Sequence, residues 1–248
     1  FVPCNGRLPT LIALITMFFV ISGPGASLLS AGLLTALILI GVGATFAVTK
    51  LLSATLLKGV PSSFTLELPP YRRPQLGKTI FRSVFDRTLF VLGRAAAVAA
   101  PAGLGLWVLA NVEVGGVALL AHLAGFLDPL GRAMGMDGVI LAAFLLGLPA
   151  NEIVLPIILM AYLSQGSLTQ LGDLTQLRTL LLANGWTWHT AVCVALFTLF
   201  HWPCSTTLLT VRKETGSWKW TALAAILPTA LGVTACVSLT LLIKIFTS

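Results

Sequence analysis

The sequence predicts an all-α, polytopic helical membrane protein with about six spans, some of them broken or re-entrant. Of its 248 residues, 57% are hydrophobic and only 9% are charged, whereas about a quarter of the residues in a soluble domain are charged. Apolar runs such as "LLTALILIGVGATFAV" do not alternate with polar residues, so they do not fit a membrane β-barrel. Long apolar stretches interrupted by Gly and Pro therefore indicate helices that lie in a lipid bilayer.

The first part of the chain predicts a transmembrane hairpin followed by a basic connector. Two apolar runs, about 8–22 and 28–49, flank the turn "SGPGAS". Eight of the fifteen Lys and Arg residues lie between Lys50 and Arg94, and short basic segments stay on the cytoplasmic side. We expect 1–49 to form an N-terminal hairpin and 50–83 to be a cytoplasmic connector.

The rest of the chain, 84–248, predicts a second transmembrane region with interrupted helices. Residues 112–136 are mixed in character and fit an amphipathic or re-entrant element better than a full span. Residues 164–184 read as a polar loop followed by a short amphipathic helix. The four expected spans are 84–110, 137–163 with a break at "GLPANE", 186–202 ending at Pro203, and 219–246.

Charge and cysteine content exclude several classes of protein. The net charge of +7 would suggest nucleic acid in a soluble protein, but in short membrane loops it sets topology, so we expect no nucleic-acid partner. The four cysteines show no CxxC spacing and lie in or beside apolar stretches. A structural disulfide framework is therefore not expected.

Glu152 is the most conspicuous ionisable residue, because it lies within an apolar stretch of the fourth run. A carboxylate there is tolerated mainly when it faces a cavity, an ion or a partner. Pro149 and Pro156 are expected to break the helix around it, and broken helices expose ion ligands in many transporters. The alternative is a structural ion pair with Arg94 or Arg132.

A second candidate site follows Pro203. His201 and Cys204 offer imidazole and thiolate groups, which borderline-soft divalent metals prefer. Ser205 and Thr206 add hydroxyl groups beside backbone atoms that the proline frees. A small buried thiol that only fills space is the competing interpretation for Cys204. That interpretation is the one we favour for Cys193 and Cys236, which have small apolar neighbours.

Cys4 strengthens the metal interpretation because its surroundings resemble those of Cys204. The segments "PCNGRLPTL" at 3–11 and "PCSTTLLTV" at 203–211 align on Pro-Cys and on a leucine four residues later. Corresponding broken segments in the two halves of a transporter indicate a site at the interface between repeats. We therefore expect Cys4 and Cys204 to contribute to one site.

Four segments taken together resemble the membrane domain of the ferrous iron transporter B (FeoB) family. In chain order they are "PCNGRLPT", "LELPPYRRP", "FLDPLGRAMGMDGVILAAFLLGLPANEIVLPIILMAYL" and "HWPCSTTLLTVRKETGSWKWT". The resemblance implies a multi-pass protein of the bacterial cytoplasmic (inner) membrane that transports Fe²⁺ and has no bound organic cofactor. It also implies that this chain is not itself an enzyme, because GTP hydrolysis belongs to an N-terminal GTP-binding portion, here missing or separate. A homo-oligomer is a possible assembly.

The resemblance also suggests roles for individual residues. Cys4 corresponds to the cysteine motif that closes the first Gate region of the family, and Cys204 to that of the second. The residues expected to bind metal are Cys4, Cys204, Glu152 and His201. Those expected to line the pathway are Asn151, Ser205 and Thr206.

Two other functions remain open at this point. A Gate-type transporter of another solute, such as a nucleoside, would need aromatic surfaces, which Trp186, Trp188 and Trp202 could supply. A non-transporting membrane scaffold would instead bind its partner through the basic segment 50–94. An intramembrane protease is not supported, since the sequence has no HExxH motif and no evident Ser/His pair.

Overall fold

The computed structural model describes residues 1–20, 25–56, 58, 75–163 and 174–247. These residues form an all-helical molecule with one small β-hairpin, as the composition predicts. A π-helical turn at Ser83–Leu89 and a 3₁₀ turn at Asn151–Ile153 join consecutive helices. The helices are α1 (Leu8–Phe18), α2 (Ala26–Ala54), α3 (Leu76–Arg82), α4 (Phe90–Asn111), α5 (Leu119–Ala133), α6 (Gly138–Leu146), α7 (Val154–Tyr162), α8 (Leu174–Ala183), α9 (Trp188–Phe200), α10 (Ser205–Thr215) and α11 (Trp218–Thr247).

Within the described ranges, three apolar stretches are long enough to cross a membrane: α2, the discontinuous pair α9–α10, and α11. A fourth span is present if α5 and α6, which are bent by 111° at their junction, count as one re-entrant or broken element. The other expected spans appear as shorter apolar helices at Leu8–Phe18, Ala95–Asn111 and Asn151–Tyr162. The polytopic membrane fold with broken helices is thus confirmed.

The buried core surrounds α6, α7 and α9. Six of the nine residues of α6 are buried, and so are eight of the thirteen residues of α9. Helix α9 packs against α1, α2 and α11, which places it at the centre of the molecule. By contrast, α2 has a single buried residue, Gly41. Such a continuous apolar surface is what lipid or another membrane segment would cover.

A glycine contact sets the crossing of α5 and α6. An ideal Cβ built on Gly138 would collide with the Ala124 carbonyl oxygen and would lie 2.7 Å from the Asp128 backbone nitrogen. Only a residue without a side chain lets the two backbones approach this closely. Asp128 in turn accepts a hydrogen bond from the Gly138 N–H at 3.1 Å and pairs with Arg132 at 2.6 Å.

A network of polar side chains links the C-terminal end of α7 to the start of α6 and to the segment before α9. Asp137 caps α6 by accepting a 2.8 Å hydrogen bond from the Ile140 N–H, and it also accepts one from the Tyr162 hydroxyl. The Trp186 indole donates to the same hydroxyl at 2.8 Å and stacks on Phe18. Each side-chain polar group named here has a hydrogen-bond partner, so the network holds the C-terminal end of α7 in place.

Three local expectations compare with the structure in different ways. The break at "GLPANE" is present between α6 and α7, and the short helix after 164–173 is α8, although residues 164–173 lie outside the described residues. Pro156 does not break the helix again, because it falls in the first turn of α7, where a missing N–H costs little. Most of the connector, 59–74, also lies outside the described residues.

The mixed region after α4 contains a hairpin that the sequence reading missed. Two short antiparallel strands, β1 (Glu113–Val114) and β2 (Val117–Ala118), are joined by Gly115 and Gly116, both with positive φ. A Gly-Gly pair between valines is a recognised signal for a two-residue hairpin turn.

Candidate functional site

Two breaks between consecutive helices lie next to each other in the interior, and the candidate site is formed there. One is the 147–150 break between α6 and the Asn151–Ile153 turn, and the other is the 201–204 break between α9 and α10. The Ser205 N–H, at the start of α10, donates a 2.8 Å hydrogen bond to the Leu148 carbonyl. A backbone group freed at one break is therefore satisfied at the other, which holds the two breaks together.

A cavity of about 370 Å³ opens where these breaks meet the N-terminal segment. Its polar lining comes from three separate parts of the chain, with apolar groups such as Leu199 and Pro228 completing the wall. The polar lining residues are Cys4, Arg7, Asn151, His201, Cys204 and Thr207. Four of the seven residues expected from the sequence thus share one cavity.

The Cys204 thiol lies at the N-terminal end of α10, where Cys204 is the cap residue. Its sulfur lies 3.1 Å from the Thr206 hydroxyl and 3.2 Å from the Thr207 hydroxyl. Both hydroxyls are close enough to form hydrogen bonds with the sulfur. Cys204 is part-buried, whereas Cys4, in the turn before α1, is exposed.

His201 is buried and held in one orientation. Its Nδ1 atom lies 2.9 Å from the Phe197 carbonyl and 3.0 Å from the Thr198 carbonyl. Because carbonyls only accept, Nδ1 carries the ring proton and donates it, which leaves a lone pair on Nε2. Asn151 Oδ1 lies 3.2 Å from Nε2; because that oxygen only accepts, the amide has to present its NH2 group to the Nε2 lone pair to form a hydrogen bond. A backbone carbonyl on one ring nitrogen is the usual support for a histidine whose other nitrogen binds metal.

Arg7 was not selected from the sequence, although it is the most constrained charged residue of the cavity. Its side chain reaches the end of α9, where Nη1 donates to the Leu199 carbonyl at 3.0 Å. Nη2 donates to the His201 and Trp202 carbonyls at 3.1 and 2.9 Å. The guanidinium shares the cavity with both Cys4 and Cys204. An arginine between a Pro-Cys pair and an apolar helix was the only available signal.

The remaining predicted residues lie around the cavity without forming its wall. Glu152 is exposed, and its Oε2 atom would lie 3.7 Å from a Cβ built on Gly6, so it faces the Cys4–Arg7 turn. Its proposed structural partner Arg132 is instead paired with Asp128. Thr206 contacts the Cys204 sulfur, and the buried Ser205 hydroxyl has no hydrogen-bond partner among the described residues.

The described part of the chain has no group of three His, Cys, Asp or Glu side chains close enough to hold a metal ion as they stand. Cys4, His201 and Cys204 therefore share a cavity without forming a closed coordination shell. Cys193 and Cys236 are fully buried between α9 and α11, where the Cys236 thiol contacts the Cys193 carbonyl at 3.4 Å. This pair lies outside the cavity and packs in the core.

Comparisons with known proteins identify the family of this chain. Residues 34–87 match the family model described as "Ferrous iron transport protein B C terminus". Residues 92–218, just over half of the chain, match the Gate model, which is described as "Nucleoside recognition". No solved structure matches the chain significantly.

Curated relatives carry the same assignment. The chain is 29% identical over 175 residues to the "Fe(2+) transporter FeoB" of Staphylococcus aureus (strain MSSA476). This match covers 66% of the chain and 24% of the relative. The chain is 28% identical over 172 residues to the protein of the same name from Methanocaldococcus jannaschii, covering 64% and 24%. The matched region is thus about a quarter of the relatives' length. The chain belongs to the FeoB family of ferrous iron transport proteins, of which it carries the FeoB C-terminal domain followed by a Gate domain.

Proposed function

We propose that this chain forms part of the route by which Fe²⁺ crosses the bacterial cytoplasmic membrane, with Cys4, Cys204 and His201 as metal ligands. One observation carries the proposal: two cysteines from opposite ends of the chain and a buried histidine line the same cavity, at the junction of two broken helices. The printed names of the curated relatives describe Fe²⁺ transporters, which agrees with such a site.

The chemistry of the cavity suits a borderline-soft divalent cation. Thiolate and imidazole are ligands that Fe²⁺ accepts, and the Nε2 lone pair of His201 becomes available once Asn151 turns away. Asn151, Ser205 and Thr206 supply polar groups along the pathway. Glu152, beside the Cys4–Arg7 turn, adds a negative charge that would attract a cation toward the cavity.

The remaining parts of the proposal concern organisation and partners. The divisions 1–49, 50–83 and 84–248 would act as hairpin, cytoplasmic connector and second Gate-like region. A GTP-binding portion would supply hydrolysis, this chain would have no enzymatic activity of its own, and copies could associate in the membrane. Lipid would cover helices such as α2, whose apolar residues are largely exposed.

The cavity favours a metal ion over a nucleoside. Of the tryptophans that might stack on a base, Trp186 is buried against Phe18 and Tyr162, and Trp188 is exposed. Trp202 packs against Phe197 and His201. None of the three is among the described residues that line the cavity.

Uptake of Fe²⁺ by the intact protein in lipid vesicles tests the proposal. We expect Cys204→Ser to lose most of the uptake, because a hydroxyl is a much poorer ligand than a thiolate for this metal. Glu152→Gln should lower uptake mainly at low Fe²⁺ concentration, since it removes an attracting charge and not an inner ligand.

Cys193→Ala is the matched control, since that cysteine is buried in the pair outside the cavity. It should retain uptake in preparations with equal amounts of folded protein. Wild-type uptake by both Cys204→Ser and Glu152→Gln would show that the site residues are wrongly assigned. Inhibition of uptake by nucleosides would favour the other class of solute.

A further inference from the structure

Arg7 is a buried cation that lines the cavity proposed to bind the metal. Its side chain is only 7% exposed, and its three hydrogen bonds go to the Leu199, His201 and Trp202 carbonyls, which we name the carbonyl cluster. These carbonyls are free because α9 ends at Phe200 and Pro203 prevents the helix from continuing. The positive charge therefore occupies the acceptors that the helix break exposes.

The environment of Arg7 leaves this charge incompletely compensated. Among the described residues no carboxylate forms an ion pair with Arg7, and its buried Nε atom has no hydrogen-bond partner. A buried charge in a membrane segment is expensive unless it is paired or has a functional role. The carbonyl cluster supplies the compensation that is present, and Cys4 and Cys204 line the same cavity.

A divalent cation would be stabilised by the same groups. The carbonyl end of a helix carries partial negative charge, and unwound backbone carbonyls at broken helices coordinate cations in transporters. Arg7, Cys4, Cys204 and His201 line the same cavity. A cation of charge +2 and the guanidinium would repel each other strongly at such short range.

We propose that the Arg7 guanidinium is a tethered cation that occupies the carbonyl cluster, so that a divalent cation binds the cavity only when Arg7 withdraws. The inference rests on the proposed function and names the residue that closes the same site. Arg7 is thus a positioning and gating residue. With the guanidinium in the carbonyl cluster, the Cys and His side chains among the described residues do not form a closed coordination shell, which fits the proposal.

Metal affinity separates this gating role from a purely structural one. Co²⁺ serves as the probe, because its thiolate complexes are coloured, and it is titrated into the intact protein in lipid nanodiscs. Arg7→Gln removes the competing charge and should bind Co²⁺ about tenfold more tightly or better. Arg7→Lys keeps the charge and should stay much closer to wild type.

Arg132→Gln is the matched control, since Arg132 is exposed and pairs with Asp128; its Co²⁺ affinity should not change. Unchanged or weaker binding by folded Arg7→Gln overturns the gating role. Failure of the proposed function looks different: wild type and Cys204→Ser would then give the same Co²⁺ titration, and both proposals would fall.

A second measurement uses the wild-type protein and does not depend on the folding of a variant. A dicarbonyl reagent that modifies arginine is applied with and without Co²⁺, and peptides are quantified by mass spectrometry. We expect modification of Arg7 to be slow without metal and to accelerate with it, while Arg132 reacts equally in both. No acceleration at Arg7 under saturating Co²⁺ contradicts the proposal.

Discussion

At the scale of single residues, His201 shows how the fold holds a proposed metal ligand in place. Two carbonyls of its own helix, from Phe197 and Thr198, fix the proton on Nδ1. The ring also lies against Phe144, Phe197 and Trp202. This packing leaves the imidazole little freedom. Binding a metal ion at Nε2 would therefore cost little further side-chain conformational entropy.

Replacing His201 by phenylalanine tests its role as a ligand. The new ring occupies much the same aromatic space, but it removes Nε2, and Asn151 loses its partner. We expect the affinity for Fe²⁺ or Co²⁺ to fall by at least about 10- to 100-fold, because losing a ligand costs no less than losing a group that supports one; the free energy of unfolding should change little. Metal titration and thermal unfolding in nanodiscs separate the two effects.

His122→Phe is the corresponding control, because His122 is exposed in α5 and bonds only to the Ala118 carbonyl. It should leave metal affinity unchanged. Equal affinities for wild type and His201→Phe would exclude His201 from the metal site.

Residue-level prediction from the sequence succeeded where local chemistry was decisive and stopped at long-range contacts. Pro203 signalled the break that exposes Cys204, and that signal is local. The partners of Arg7 come from the other end of the chain, and no local pattern indicates them. The orientation of Glu152 depends on a 3₁₀ turn, which shifts its direction relative to a regular helix.

At the scale of elements, the two broken helices act as a coupled pair. The Ser205 N–H to Leu148 carbonyl hydrogen bond joins the start of α10 to the break after α6. The Asn151–His201 contact is a second link between the same breaks. A movement of one break must therefore be followed by the other or must leave buried polar groups unpaired, which is costly.

The α5–α6 crossing gives a stability prediction. Gly138→Ala places a methyl group against the Ala124 carbonyl, so the two helices must separate. We expect a loss of about 1–3 kcal/mol in the free energy of unfolding, as for other overpacked sites. Thermal unfolding in detergent with a fluorescent thiol probe provides the measurement.

Gly125→Ala, on the partner helix α5, serves as its control, since a Cβ at Gly125 meets nothing within 4 Å. Alanine is the better helix former, so this variant should be as stable as wild type or slightly more stable. Equal stability of the Gly138→Ala and Gly125→Ala variants would mean that the crossing tolerates a larger separation.

The elements also show which sequence signals are reliable. Pro149 and Pro203 coincide with real breaks because each follows a helix that has ended. Pro156 has the same identity but starts a helix, where its ring is tolerated. The hairpin at Glu113–Ala118 was missed because two-residue strands have no detectable alternation, and only the Gly-Gly turn indicates them.

At the scale of the whole molecule, composition alone predicted a helical membrane protein, and the arrangement of its helices depends on their packing. The low charge content required a membrane-embedded helical protein. It did not reveal that α9 lies at the centre, with α1, α2 and α11 around it. Hydropathy measures how apolar a segment is, and it does not distinguish a helix exposed on the outside of this chain, such as α2, from one in the protein interior.

Iron K-edge absorption on the intact protein loaded with one equivalent of Fe²⁺ under anaerobic conditions tests the central claim, that Cys4 and Cys204 bind the transported ion together. We predict sulfur scatterers at about 2.3 Å, the metal–thiolate distance of zinc sites. The Cys4→Ser/Cys204→Ser double variant should lose them, and Cys193→Ala should keep them. A first shell of oxygen and nitrogen alone, or a sulfur shell that survives in the double variant, would contradict the account.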